Sequence, residues 1–281
     1  CACLVGSEMC IRDRYYGLKI QYLYPFISGK DFTYIPSPYL VVNAVTESML
    51  NRVTFRDNKL RRAIGKEVIE SYLYNIVRQL DTVTWISPEL LYKKGKDKLL
   101  TSDVIAAEGD NVIFYDTKAI TPSLKLRKFD VAEIEADIEI YAEDVIQIYN
   151  QINNYLQGCF QLDKQYLKDK IFGIVVVLED AVVSRKKVYE KVYEILEKTE
   201  TLDTEEKNYI CSHIKVLPLR AIECMILQNT SLLPELIEQL SKPERWYDYT
   251  YTNATIENGK IPLYSKYEKD LKSRIKNRIM G

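Results

Sequence analysis

The amino-acid sequence predicts an α/β chain in which a mixed central sheet, flanked by helices, is built in the order α-β-β-β-α-β and followed by a mostly helical extension. Three observations predict this order. A helix-period segment from Asn58 to Leu80 precedes a short β-branched strand, Asp81 to Ile86. The stretch from Leu99 to Ile120 then reads strand, turn, strand. After a second helix-period segment ending near Cys159, Ile171 to Leu178 is a continuous apolar run of strand length, the pattern of a strand buried on both faces and often parallel to its neighbour.

Residues 1–14, CACLVGSEMCIRDR, lack an initiator methionine, and they lack the basic start and apolar core of a signal peptide. They resemble translated sequencing-adapter read-through, with a short N-terminal strand as the alternative. They are set aside from the functional reading, and the natural chain is expected to begin further upstream. Tyr15 to Arg56 is aromatic-rich and broken by Pro25, Pro36 and Pro38, the tail end of an N-terminal region extending to about residue 60. Ile64, Val68, Ile69, Tyr72, Leu73, Ile76, Val77 and Leu80 recur at three- and four-residue steps, which makes this segment an amphipathic helix. Trp85 lies in the strand that follows, Ser87-Pro88 stops it, and Lys93 to Lys98 reads as a basic loop.

The hairpin comes next. Strands over Leu99–Ala107 and Val112–Lys118 flank Glu108-Gly109-Asp110-Asn111, where Gly109-Asp110 supplies the positive-φ residues of a tight turn. Folding about that centre pairs Ala107 with Val112, Ile105 with Phe114, and Asp103 with Asp116. Side chains alternate along a strand, so Lys118 emerges on the same face as Asp116. Directly opposed like charges destabilise a sheet, so a metal ion or a proton is expected to offset the two acids.

Thr121-Pro122-Ser123, the basic stretch Lys125-Leu126-Arg127-Lys128 and an acidic segment from Asp130 to Asp144 lead into a helix marked by Ile146, Tyr149, Ile152 and Leu156. Past the apolar strand, residues 181–281 are expected to form an α/β extension. It contains a helix over Lys186–Lys198, a polar break, a strand near His213–Leu217 and helices over Ala221–Leu227 and Pro234–Leu240. The aromatic segment Trp246–Tyr251 and a basic tail from Lys266 to Arg278 complete it.

Composition narrows the chemistry. The 281 residues, 47% hydrophobic and 28% charged, suffice for one large domain or two modest ones. A net charge of −1 gives no global field toward nucleic acid or membrane, so a polyanion would have to be met by local patches. No apolar run approaches the length of a membrane span. The six cysteines show no metal-ligand spacing, which suits a reducing cytosol, and a cytoplasmic location is expected. The single histidine, His213, argues against a His-based metal site or a Ser-His-Asp triad. Carboxylates and lysines are left to carry any reaction.

Among acid-x-lysine tripeptides, Asp57-Asn58-Lys59, Glu205-Glu206-Lys207 and Asp270-Leu271-Lys272 lie in polar or helical settings. Only Asp116-Thr117-Lys118 closes an apolar strand and faces a second acid. Two carboxylates at strand distance offer hard oxygens to Mg²⁺, which takes one or two carboxylates plus waters and substrate phosphate oxygens. Such a metal polarises phosphate and lowers the pKa of water. Lys118 is placed to orient that water or to stabilise charge on the phosphorane oxygens.

On these residues the sequence resembles the PD-(D/E)XK, or restriction-endonuclease-like, nuclease superfamily, whose core is α-β-β-β-α-β. Asp103 falls at the first metal-binding acid, with Ser102 replacing the proline, and Asp116 and Lys118 fall on the [D/E]-x-K half-motif. In Gly65-Lys66-Glu67-Val68-Ile69-Glu70-Ser71-Tyr72-Leu73, Glu70 resembles the family's helix acid and Glu67 is the runner-up. Gln151-Ile152-Asn153-Asn154-Tyr155 resembles the Q-x-x-x-Y motif of the RecB-like branch, and Gln147 lies on the same face one turn earlier.

The resemblance spans residues 61–180. It implies a deoxyribonuclease dependent on Mg²⁺, with Mn²⁺ as a substitute. Asp103, Asp116, the Thr117 carbonyl and Glu70 would hold the metal, Lys118 would position water, and Gln151 would be accessory. It also implies DNA as partner, a homodimer or other partner through the flanking regions, and a place in repair or phage defence. The alternative is a catalytically silent nucleic-acid-binding or assembly module of the same fold. Each residue also has a structural alternative. Asp103 could cap its strand or hold Lys118, Glu70 and Glu67 could be solvated, Gln151 and Tyr155 could be a packed helix-sheet contact, and His213 could be a plain strand residue.

Overall fold

A five-stranded mixed sheet forms the centre of the computed structural model, which describes residues 26–35, 38, 41, 49–54, 57–119, 131–178, 184–199, 201–219 and 222–223. The first long helix, α1, runs through an α-helical segment Asn58–Ile64, a π-helical segment Gly65–Glu70 and an α-helical segment Ser71–Val77. The Asp57 side chain caps its start by accepting from Leu60 N. Then come β1 (Val83–Pro88), β2 (Leu91–Lys94), β3 (Asp97–Leu100), β4 (Val104–Glu108), β5 (Asn111–Lys118), α2 (Val131–Leu156), β6 (Ile171–Val177), α3 (Arg185–Leu196), α4 (Thr204–His213) and β7 (Ile214–Pro218).

The sheet order is β1-β4-β5-β6-β7. β4 pairs antiparallel with both β1 and β5, whereas β5-β6 and β6-β7 are parallel. All seven residues of β6 are buried, as its unbroken apolar run predicts. Alternation divides the core in two. Val104, Ala106, Ile113, Tyr115, Ile174 and Val176 point to one face, where Leu73, Ile76 and Val77 of α1 and Leu80 just after it cover them. Ile105, Ala107, Phe114 and Val175 point to the other, against Tyr141, Val145, Ile148 and Ile152 of α2 and Val188 and Val192 of α3.

The predicted hairpin register is observed: Ala107 opposes Val112 and Ile105 opposes Phe114 across the Gly109-Asp110 turn, where Gly109 has φ +59°. The first predicted strand is corrected, because Leu99 to Ala107 is not one element. Leu99 and Leu100 end β3, which pairs with β2 in a separate two-stranded ribbon, and β4 begins only at Val104. The basic loop over Lys93–Lys98 is therefore the tip of a β-hairpin turning at Gly95, φ +63°. α2 begins within the acidic segment, at Val131.

The polar break after Lys198 holds α4, capped by Asp203 accepting from Glu206 N. His213 ends that helix instead of lying in a strand, and its ring stacks between Phe172 and Tyr209 at centroid distances of 4.9 and 4.4 Å. β7 joins the same sheet as β6, so residues on both sides of position 180 share it. Among the described residues, no helix is long and apolar enough to cross a membrane. Residues 1–14, Lys125–Lys128, most of Ala221–Leu227, Pro234–Leu240, Trp246–Tyr251 and Lys266–Arg278 lie outside the described residues.

Candidate active site

The ends of β4 and β5, one turn of α2 and the π-helical segment of α1 meet at one patch. Asp103 precedes β4 by one residue, at a bend. Its Oδ2 accepts from the backbone N and the Oγ1 of Thr117, each at 2.6 Å. The two hydrogen bonds tie the entry of β4 to the end of β5, opposite the place the register assigns to Asp116. Asp116 is 3% exposed. Its Oδ2 lies 2.7 Å from Lys118 Nζ, and its Oδ1 accepts from Gln147 Nε2 at 3.4 Å.

Lys118 has three contacts for its three donors. Besides Asp116, it donates to Gln147 Oε1 at 2.8 Å and lies 3.3 Å from Asp144 Oδ1. Burial and the nearby carboxylates set the electrostatics. Burial raises Asp116 to about 6; the Lys118 charge opposes this and the Asp103 charge adds to it. Burial likewise lifts Asp144 to about 6 against the pull of Lys118. Burial alone would depress Lys118, but Asp116 and Asp144 together leave it raised and firmly charged.

Glu70 is raised to about 7, first by burial, then by the negative charge of Asp103, with Lys66 opposing and Glu89 and Asp116 adding. Its carboxylate therefore feels both hairpin acids. Glu67, one turn back, is exposed. The helix acid that faces the patch is Glu70, and the segment presenting it is π-helical, a local widening often found at functional sites.

Gln151 lies elsewhere than expected. It is buried and accepts a short hydrogen bond from Ser102 Oγ, while Gln147, one turn earlier, reaches Lys118 and Asp116. Tyr155 packs near Phe114 and Phe160, and its hydroxyl accepts from Tyr166 N at 2.9 Å. Asp144 and Gln147 are the site residues absent from the expected set. Asp144, Gln147, Gln151 and Asn154 follow i, i+3, i+7, i+10 spacing, a polar stripe along a helix whose neighbouring face is apolar. That stripe is the signal that could have found them.

The donor set consists of carboxylate, carbonyl and amide oxygens. Among the described residues, no group of three or more His, Cys, Asp or Glu side chains could hold a metal ion by itself. Asp103 and Asp116 supply hard carboxylate oxygens, the donor type that Mg²⁺ takes while keeping waters in its shell.

No family model matches the chain. A protein of Gelasinospora sp. (strain G114) described as "Probable DNA-directed RNA polymerase" is 26% identical over 134 residues, 48% of this chain and 15% of that protein. The chain thus spans a small part of that relative's length. Among solved structures, the small subunit of the heterodimeric restriction endonuclease R.BspD6I aligns over 74% of this chain and 96% of its own, with a TM-score of 0.34 and 9% identity.

Proposed function

We propose that this protein is a metal-dependent nuclease that hydrolyses phosphodiester bonds of DNA. The observation that carries the reading is the buried Asp116 held 2.7 Å from Lys118, beside an Asp103 that Thr117 ties across the ends of β4 and β5. Burial and mutual repulsion hold Glu70 and Asp116 above the ordinary carboxylate range, an arrangement that binding a divalent cation would relieve. The order α1-β1-β4-β5-α2-β6, with the β2-β3 ribbon inserted, supports assignment to the restriction-endonuclease-like group.

Asp103, Asp116 and the Thr117 carbonyl would hold Mg²⁺ or Mn²⁺, with the charge of Glu70 acting from α1; the ion when bound supplies polarisation of the scissile phosphate and a more acidic water. Asp103 is held by Thr117, so its free Oδ1 is the oxygen left to turn toward the cation. Lys118 donates to the attacking water or to the phosphate oxygen that gains charge. Of its three contacts, the 3.3 Å one to Asp144 is the longest and the first to yield to substrate. Gln147 keeps the ammonium in place while that exchange occurs. Gln151 acts through Ser102 and fixes the turn that aims Asp103.

The test is incubation of purified protein with plasmid, linear duplex and single-stranded DNA in Mg²⁺, Mn²⁺ or EDTA. Cutting with metal, none with EDTA, and none by Asp116→Asn is the expected result. DNA binding without cutting under any metal would instead support the silent binding module.

A pH dependence follows from the same acids. Glu70 at about 7 and Asp116 at about 6 must lose their protons to receive a cation, so metal affinity rises from pH 5.5 to pH 8. Millimolar Mg²⁺ is expected to raise the thermal midpoint at pH 8 and to leave it unchanged at pH 5.5. Equal shifts at both pH values would count against these carboxylates as ligands.

A further inference from the structure

The proposed chemistry leaves the β2-β3 ribbon unused. Its two faces differ. The inner face is anchored: Tyr92 is 7% exposed, packs tilted against Phe160 with ring centroids 4.8 Å apart and accepts from Asn154 Nδ2 at 2.8 Å. Lys94 points the same way and donates to Asn154 Oδ1 at 2.7 Å. The outer face is open. Leu91 pairs with Leu100, at 65% and 47% exposure, and Lys93 pairs with Lys98, both exposed. Lys96 adds a third exposed ammonium at the tip.

Lysines directly opposite on one face of a ribbon repel, and the two leucines beside them gain nothing from water. An anionic partner resolves the first cost. The ribbon is also wired to the site. Leu90 and Thr101 close its base by two hydrogen bonds, at 2.8 and 2.9 Å, and Ser102 then bonds Gln151 immediately before Asp103. Lys98 stands five residues before Asp103 in the chain, a reach of at most ~18 Å at full extension. That spans only a few nucleotides at about 3.4 Å each. Along α2, the Asn154 that anchors the ribbon lies ~10 Å from the Gln147 that holds Lys118, at 1.5 Å per residue.

We propose that the β2-β3 ribbon is a DNA-docking element, seated on a duplex beside the scissile phosphate, with Lys93, Lys96 and Lys98 on backbone phosphates. The inference rests on the nuclease reading for the identity of the anion. A two-stranded ribbon fits the major groove of B-DNA, and lysines on both strands and at the tip meet phosphates along its edge. These contacts position the duplex and carry no base sequence.

Fluorescence anisotropy of a labelled 20-base-pair duplex, titrated in EDTA at several salt concentrations, tests this without any cleavage. Each lysine-phosphate contact contributes about 0.9 to the slope of log K against log salt. The variant Lys93→Ala/Lys96→Ala/Lys98→Ala is expected to lower the slope magnitude by about 2.7 and to weaken binding at low salt. Lys186→Ala/Lys187→Ala/Lys198→Ala, which removes as much charge from α3 and the turn after it, is expected to leave the slope unchanged. An unchanged slope in the ribbon variant, equal losses in both variants, or no duplex binding by the wild type would overturn the proposal. Metal-dependent cleavage is scored separately. A protein that binds through the ribbon and never cuts refutes the nuclease reading and supports the ribbon; one that cuts with an unchanged slope in the ribbon variant refutes the ribbon alone.

Discussion

Lys118→Met is expected to lower metal-dependent DNA cleavage by about three orders of magnitude, the scale lost when an aligned proton donor or charge stabiliser is removed. Methionine keeps most of the aliphatic stem, so packing changes little, whereas the charge shared by Asp116, Asp144 and Gln147 disappears. The stability of the variant should then depend on pH in a defined direction. Asp116 and Asp144 already sit at about 6 with the lysine present, and losing it pushes both higher. A carboxyl whose folded pKa exceeds its unfolded value binds more protons when folded, so stability falls as pH rises between the two values. At pH 5.5 both acids can stay neutral; at pH 8 two charges are buried without a partner, at a cost of about 3 kcal/mol. Urea denaturation at the two pH values reads this directly. Adding Asp144→Asn should recover part of the pH 8 stability and none of the activity. Cleavage by Lys118→Met at the wild-type rate would remove Lys118 from the mechanism.

The parts legible in the sequence were those fixed by local chemistry. A slip of one residue about the Gly109-Asp110 turn would put Ile105 and Phe114 on the wrong face, so the pairing of Ala107 with Val112 and Ile105 with Phe114 could be read before the fold was seen, whereas Asp103 lies at a bend outside the paired residues, its carboxylate bonded to Thr117. The ribbon was not legible because its buried content is almost entirely Tyr92. Lys93, Lys94, Lys96 and Lys98 give no apolar alternation, and the feature that holds it, Asn154, lies on a helix far along the chain. Asp144 was hidden for the opposite reason. It ends a run of acids, several of them solvated, and only the packing of α2 on the sheet singles it out for burial beside Lys118. The ambiguity between Glu67 and Glu70 is likewise tertiary. Both stand on the same helix, but Glu67 is exposed, whereas Glu70 is half-buried and raised by Asp103 and Asp116. The π-helical segment that presents it leaves no mark in the apolar spacing, since Ile69, Leu73, Ile76 and Val77 are buried in either winding.

Gly173→Ala is expected to reduce both stability and cleavage, although Gly173 touches none of the site residues. It lies within β6 beneath Ile148 of α2, and a methyl group placed there would stand 2.3 Å from Ile148 Cγ2. That atom is bonded directly to the Ile148 β-carbon, so turning the far end of the side chain does not clear it and the helix itself has to lift. Overpacking of this kind costs about 1–3 kcal/mol. Ile148 is the next residue after Gln147 and lies one turn from Asp144 and Gln151, so a lifted helix lengthens the 2.8 Å contact from Lys118 to Gln147 and frees Asp144. A displacement of about 1 Å in such a cluster can cost as much as a hundredfold in rate. The clash can be separated from a generic loss by a double-mutant cycle with Ile148→Ala. Ile148→Ala alone should cost about 2–5 kcal/mol for the cavity it leaves, yet in the Gly173→Ala background it removes the colliding atom and makes room for the new methyl. The two costs should therefore sum to more than the double variant loses, and part of the cleavage should return. Strictly additive losses would show that α2 accommodates the methyl without moving, and that the site does not depend on the height of the helix above β6.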